Sequence, residues 1–171
     1  MTLTIRPRRD EDLPHLAAVL VRVHAKDGYP VEGVADPEGW LRHDGELQSW
    51  TAVEDGLPIG QVTLTRAKAD DDAARAWREH VGGDVDRLAI PVRLFVHPDH
   101  RGTGAGRLLM EAAFEFARTQ GLAIAFDVML KDRAAIRLYE RLGAQRIASL
   151  THRYGDGLTE PAAVFAVPSG A

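Results

Sequence analysis

Between Val92 and Gln120 the sequence passes from an apolar run, through three alternate glycines, into a helical pattern. No other stretch constrains the fold as much. Val92-Arg93-Leu94-Phe95-Val96 reads as a strand, and His97-Pro98-Asp99-His100 as a turn, because Pro98 has no amide hydrogen for a ladder. Arg101-Gly102-Thr103-Gly104-Ala105-Gly106 follows, then Leu108, Leu109, Ala112, Ala113 and Phe116 at helical spacing. The first turn of a helix leaves backbone N–H groups without partners, and with the dipole they attract an anion. Glycines at 102, 104 and 106 let a phosphate approach the main chain, and Arg101 adds a cation suited to it. The plain alternative is a glycine-bearing surface loop. Alternate glycines at a helix start are unfavourable unless something must come close.

The phosphate ligand can be narrowed. A nucleotide P-loop ends in Gly-Lys-Ser or Gly-Lys-Thr, whereas Gly106 is followed by Arg107 and Leu108. The dinucleotide fingerprint G-x-G-x-x-G, begun at Gly102, wants glycine where Arg107 stands. Asp127 does lie about twenty residues on, as a ribose-binding acid would. Too little chain follows it, however, for the rest of a doubly wound sheet.

A third pattern is R-x-x-G-x-G, carried by Arg101, Gly104 and Gly106 behind Leu94-Phe95-Val96-His97-Pro98. Downstream, Asp132-Arg133-Ala134-Ala135-Ile136-Arg137-Leu138-Tyr139-Glu140-Arg141-Leu142-Gly143 follows the form N-x-x-A-x-x-x-Y-x-x-x-G, with Asp132 in the Asn place. Both segments, in this order with one helix and one strand between, resemble the GCN5-related N-acetyltransferase (GNAT) family. The resemblance runs from residue 92 to 147. It implies acetyl-CoA as cosubstrate and no metal. The pyrophosphate would sit on Arg101, Gly102, Thr103, Gly104, Ala105 and Gly106. The pantetheine would pair with the backbone of Leu94, Phe95 and Val96, between two strands that splay apart. Asp132 and Ala135 would add cofactor contacts, and Tyr139 would protonate the leaving thiolate. The plain reading of Tyr139 is a packed aromatic on a helix face. An ionised Asp132 caps a helix but cannot donate a hydrogen bond to the pantetheine. Ala144 replaces the aromatic that usually follows Gly143, at a cost in packing.

The rest of the chain falls into short elements. Leu3 and Ile5 alternate with polar residues before Pro7, a first strand. Asp10-Glu11-Asp12 opens a helix through Leu13, Leu16, Ala17, Leu20 and Val23 to about Ala25. Asp36-Pro37 caps a short helix through Trp40 and Leu41. Gln48 to Val53 and Pro58 to Thr65 form a hairpin about Asp55-Gly56. An insert from Lys68 to Val85 carries the triplet Asp70-Asp71-Asp72 ahead of a short helix ending at His80, where the acids face the helix dipole. It is placed to wall a substrate site. Strand returns from Asp86 to Val96. Ala123 to Leu130 is a buried parallel strand. Asp132 caps a helix ended by Gly143. Ala144 to Thr151 and Ala162 to Val167 pair across a loop containing Gly155-Asp156-Gly157. The expected order is β-α-α-β-β-β-α-β-α-β-β in one domain over residues 1–171. The fold class is α/β (α+β), with a mixed, mostly antiparallel GNAT-like sheet flanked by helices.

The chain has 171 residues, 45% of them hydrophobic and 27% charged, enough for one domain with a core. Its net charge of −4 argues against nucleic acid as a partner. It has no cysteine, which excludes disulfides and thiolate metal sites and suits a reducing compartment. No signal core or membrane-length apolar run is visible, so the expected place is the cytoplasm. His97 and His100 read as turn residues, since no H-E-x-x-H motif accompanies them.

The family builds its acceptor pocket between its first two helices, here around Tyr29, Glu32 and Trp40. For the aromatics, plain packing is the alternative. The base that takes the amine's proton stays open, with Glu32 and Asp127 as candidates. The leading expectation is transfer of acetyl from acetyl-CoA to the primary amine of a small molecule, by a monomer or homodimer without membrane partners. A non-catalytic acyl-CoA sensor and a protein N-acetyltransferase are the alternatives.

Overall fold

The structure is a computed structural model that describes residues 2–154 and 157–169. Gly155 and Asp156 of the expected last loop lie outside the described residues. The elements are β1 (Leu3–Pro7), α1 (Leu13–Asp27), α2 (Pro37–Leu41), β2 (Glu46–Glu54), β3 (Leu57–Arg66), α3 (Asp72–His80), β4 (Leu88–Val96), α4 (Ala105–Thr119), β5 (Ala123–Met129), α5 (Arg133–Arg141), β6 (Gln145–Tyr154) and β7 (Leu158–Val167). Apart from the insert helix α3, this is the expected order. The strands form one seven-stranded sheet in the order β1-β2-β3-β4-β5-β7-β6. The pairing of β4 with β5 is parallel, while β1–β2, β2–β3, β5–β7 and β6–β7 are antiparallel. The chain divides into two compact units. One is the chain up to Thr65 with Pro91–Ala113; the other is Arg66–Ile90 with everything from Phe114.

In the first unit β2 and β3 turn through Asp55 (φ 50°) and Gly56 (φ 84°). Positive φ at both central residues is the hairpin turn whose twist matches the strands. The apolar positions of α1, Leu13, Leu16, Leu20 and Val23, are buried in one cluster with Leu41 of α2 and Phe95 of β4. Each fully buried leucine stabilises the fold by roughly 1.5–3 kcal/mol. Helix α1 ends at Gly28 (φ 72°), whose N–H bonds to His24 O at 2.8 Å. The Asp36 carboxylate caps α2 through the Gly39 N–H at 3.1 Å, with Pro37 at the first helical position. Two features fix the ends of this unit. Asp12, at the start of α1, is only 3% exposed. It accepts from Nη1 and Nη2 of Arg6 (2.7 and 2.8 Å), from Arg9 N–H (2.8 Å) and from Thr51 Oγ1 (2.9 Å). Burial raises its pKa, but these donors overcome that and bring it down to about 2. At the other end Gly60 of β3 lies against β4, where a Cβ would stand 2.6 Å from Phe95 O.

In the second unit Leu88 and Ala89 pair with Ala123 and Ile124, and β5 runs antiparallel to β7 from Ile124↔Val167 to Met129↔Ala162. Phe126 gathers the aromatics, with Tyr139, Phe165 and Phe114 at centroid distances of 4.8, 6.0 and 6.2 Å. Helix α3 packs on β5, β6 and β7, burying Ala73, Ala74 and Trp77. Asp71 stands at its N-cap, but the carboxylate turns back to accept from Lys68 N–H (2.8 Å), and Asp72 pairs with Arg75 instead of capping. Strands β6 and β7 run to Tyr154 and from Leu158, longer than expected, because their polar outer ends read as loop. Among the described residues no helix is long and apolar enough to cross a membrane.

Candidate active site

The glycine loop is held from below. Pro98–His100 form a 3-10 turn capped by His97 Nδ1, which accepts from Asp99 N–H at 3.0 Å. His100 Nδ1 lies 2.8 Å from Oε2 of buried Glu54, and Thr103 Oγ1 donates to His100 O at 2.9 Å. Burial and then the neighbouring His100 push the His97 pKa down. Both histidines therefore serve the turn, and among the described residues no three His, Asp or Glu side chains group to hold a metal.

The chain then crosses Gly102 (φ 79°) and Gly104 (φ 89°) into α4, where Leu108 N–H bonds to Gly104 O at 3.0 Å. The backbone N–H groups from Gly102 to Arg107 make no hydrogen bond to any described residue. A Cβ on Gly102 or Gly106 would meet nothing within 4 Å, and one on Gly104 only Arg107 Nη2 at 3.8 Å. Unpaired donors reached through open space fit the pyrophosphate of a coenzyme. Arg101 is ion-paired with Asp27 at the end of α1, so it anchors the loop's entrance as well as charging it. Arg107, known in the sequence only as the residue that breaks the dinucleotide fingerprint, pairs with Glu111 at 2.7 Å with its guanidinium beside Gly104. Of the other loop residues, Ala105 is buried and Thr103 is half-buried.

Strand β4 leaves regular geometry just before this loop. Arg93 has φ 57°, in the left-handed region that an arginine seldom occupies. Its carbonyl is taken by the side chain of Gln61, Nε2 to O at 2.6 Å. Nothing in Val92-Arg93-Leu94 marked this kink, because the residues read as an ordinary strand. Of the expected pantetheine strand, Phe95 is buried and packs 6.3 Å from Trp40, while Leu94 and Val96 are half-buried.

Tyr29, Glu32 and Trp40 come together. Tyr29 meets Trp40 edge-on at 5.7 Å, and Trp40 Nε1 donates to Glu32. Arg93 completes the group: its guanidinium carbon lies 4.8 Å over the Trp40 ring, and Nη1 donates to the carbonyls of Trp40 and Arg42. Burial pulls the Arg93 pKa down, against Tyr29, Glu32 and Asp44, which raise it.

The remaining expected residues belong to the second unit. Asp132 Oδ1 caps α5 through Ala135 N–H at 3.2 Å. Tyr139 is 9% exposed, and its hydroxyl makes no hydrogen bond to a described residue. Burial and then the charge of Asp132 push its pKa up to about 12. Ala144, in place of the usual aromatic, is buried and donates its N–H to Tyr139 O at 3.0 Å. Asp127, the other candidate base, is exposed on β5 opposite Val164.

A mixed seven-stranded sheet flanked by helices, with an open run of backbone N–H groups at the start of α4 behind a kinked strand, defines an α/β protein of acetyltransferase-like fold. Residues 14–144 match the Acetyltransferase (GNAT) family, and the chain belongs to that family. It is similar to a Mus musculus protein described as "Probable N-acetyltransferase family 8 member 5", at 31% identity over 57% of this chain and 38% of that protein. It is also similar to mycothiol acetyltransferase of Rhodococcus jostii, at 26% identity over 82% of this chain and 51% of that enzyme. The chain thus spans about half or less of the length of these curated relatives. Among solved structures, yncA of Salmonella typhimurium with its cofactor acetyl-CoA shares the fold, with a TM-score of 0.74 at 17% identity, covering 98% of this chain and 94% of that one.

Proposed function

We propose that the chain is a single-domain N-acetyltransferase that moves acetyl from acetyl-CoA to the primary amine of a small molecule. The observation that carries this reading is the run of unpaired backbone N–H groups from Gly102 to Arg107, open to an anion at the start of α4. Bound acetyl-CoA supplies a thioester carbon, to which the amine nitrogen bonds as the carbon–sulfur bond breaks. In this reading the loop holds the pyrophosphate, with Arg101 and Arg107 as flanking cations. The backbone of Leu94, Phe95 and Val96 lines the pantetheine. Asp132 shapes the start of α5 and leaves Ala135 to pack against the cofactor. Tyr139 keeps its proton at every working pH and delivers it to the departing sulfur. Glu32, already bonded to Trp40, and Asp127 are the carboxylates available to take the amine's proton. Similarity to mycothiol acetyltransferase supports a small acceptor, and the absence of cysteine suits the reducing cytoplasm.

The test is a panel of primary amines incubated with acetyl-CoA, reading free thiol. Amine-dependent thiol release is expected. Acetyl-CoA that binds in calorimetry without turnover on any amine would move the reading to a sensor, and no binding at all would end it.

A further inference from the structure

Three arginines among the described residues are half-buried: Arg6, Arg8 and Arg93. A partly desolvated charge is unfavourable unless it is paired and hydrogen-bonded. Arg6 is paired with Asp12 at 2.7 Å and Arg8 with Glu46 at 2.9 Å. Arg93 forms no ion pair with a described residue. Glu32 and Asp44 are near enough to favour its charged form, yet neither comes within ion-pair distance. Its Nη1 is used on the Trp40 and Arg42 carbonyls, while Nε and Nη2 make no hydrogen bond to a described residue. The guanidinium is nonetheless held in place, its carbon 4.8 Å over the Trp40 ring and one nitrogen fixed on two carbonyls, on a backbone that Gln61 pins at an unusual φ. A rigid guanidinium with a free pair of donors matches the two oxygens of a carboxylate.

We propose that Arg93 is the carboxylate-binding residue of the acceptor site, so that the acceptor is an amine that also carries a carboxylate, as amino acids do. This rests on the reading above that the chain acetylates an amine. The carboxylate bonds to Nε and Nη2, and Tyr29 and Trp40 form the wall beside it. Glu32 and Asp44, near enough to act on Arg93, attract the ammonium of the incoming acceptor before it loses its proton.

The experiment compares free amino acids with their amides, each with acetyl-CoA, by thiol release. The wild type should favour the acid over the amide about 10- to 100-fold in kcat/KM, the scale of a hydrogen bond between charged groups. Arg93→Gln should abolish that preference while its melt and its acetyl-CoA affinity stay close to wild type. Arg93→Lys, which keeps the charge but not the fork, should retain only part of it. If Arg93→Gln fails to fold, the acid–amide ratio in wild type and Arg93→Lys carries the test. Equal rates on acid and amide in the wild type overturn the proposal, as does a preference that survives in folded Arg93→Gln. Should no amine be turned over, calorimetry with N-acetyl amino acids against their amides decides, and equal affinities refute it. Loss of acetyl-CoA binding would instead refute the acetyltransferase reading.

Discussion

Replacing Tyr139 with Phe removes one oxygen and keeps the ring that meets Phe126 at 4.8 Å. Two readouts follow, one physical and one chemical. The ordinary tyrosine pKa of 10.0 is pushed up to about 12 in the fold. The folded protein therefore holds this proton more tightly than the unfolded chain. Stability from that preference is fully present below pH 10 and is lost as pH rises through 12. The rise in pKa corresponds to roughly 2–3 kcal/mol. Urea unfolding of wild type and Tyr139→Phe between pH 8 and about 12 isolates this contribution, because every other group titrates alike in both proteins. By pH 12 the wild type should have lost about 2 kcal/mol more than the variant, with the remainder lost above it. Parallel curves would show that the hydroxyl is wet and the burial argument wrong. The chemical readout is single-turnover acetyl transfer, which should fall about 10²-fold or more with acetyl-CoA affinity little changed. Wild-type turnover from folded Tyr139→Phe refutes the role as acid, and leaves the alkaline prediction standing on its own.

Three further outcomes are expected. Asp12→Asn should flatten the acid limb of stability: the Asp12 pKa falls from 3.8 to about 2 on folding, so roughly 2 kcal/mol present above pH 4 is lost as pH falls through 2, and matched pH profiles of variant and wild type would contradict this. Gly104→Val should weaken acetyl-CoA binding at least about tenfold, because a β-branched residue at φ 89° strains the loop, and calorimetry showing unchanged affinity in a folded variant would remove the pyrophosphate assignment. Asp132→Ala should cost roughly 1 kcal/mol in a thermal or urea melt while Asp132→Asn stays near wild type; a large gain in acetyl-CoA affinity on Asp132→Asn would mean that the missing amide donor matters to the cofactor.

Local chemistry decided what could be read from the sequence. Asp55-Gly56 declares its hairpin because only a few residues accept positive φ twice in succession. Asp36-Pro37 and Asp132 declare their helices because each cap is made within three residues. The glycine loop leading into α4 was legible for the same reason, as its glycines and its helix are contiguous. What stayed hidden depends on partners distant in the chain. Arg93 bends where Gln61, thirty-two residues earlier, captures its carbonyl. Arg101 is engaged by Asp27, seventy-four residues away, and His100 by Glu54. The outer ends of β6 and β7 were missed because residues such as Arg153 and Pro161 carry no strand signal, yet lie in register.

Gln61 gives the kink a further meaning. Its side chain is fully buried; Oε1 accepts from Arg8 Nη1 at 2.8 Å and Nε2 donates to Arg93 O at 2.6 Å, so the amide cannot turn over without breaking both. Arg8 in turn holds the Leu41 carbonyl and Glu46. The backbone shape at Arg93 is therefore set by positions 8 and 61, neither of which belongs to β4. Gln61→Glu would keep the volume but present an acceptor to a carbonyl, expelling Arg93 O and releasing the strand toward ordinary φ. If Arg93 holds the acceptor's carboxylate, as proposed, acceptor choice can be retuned from β3, through a backbone hydrogen bond and with the glycines of the loop untouched.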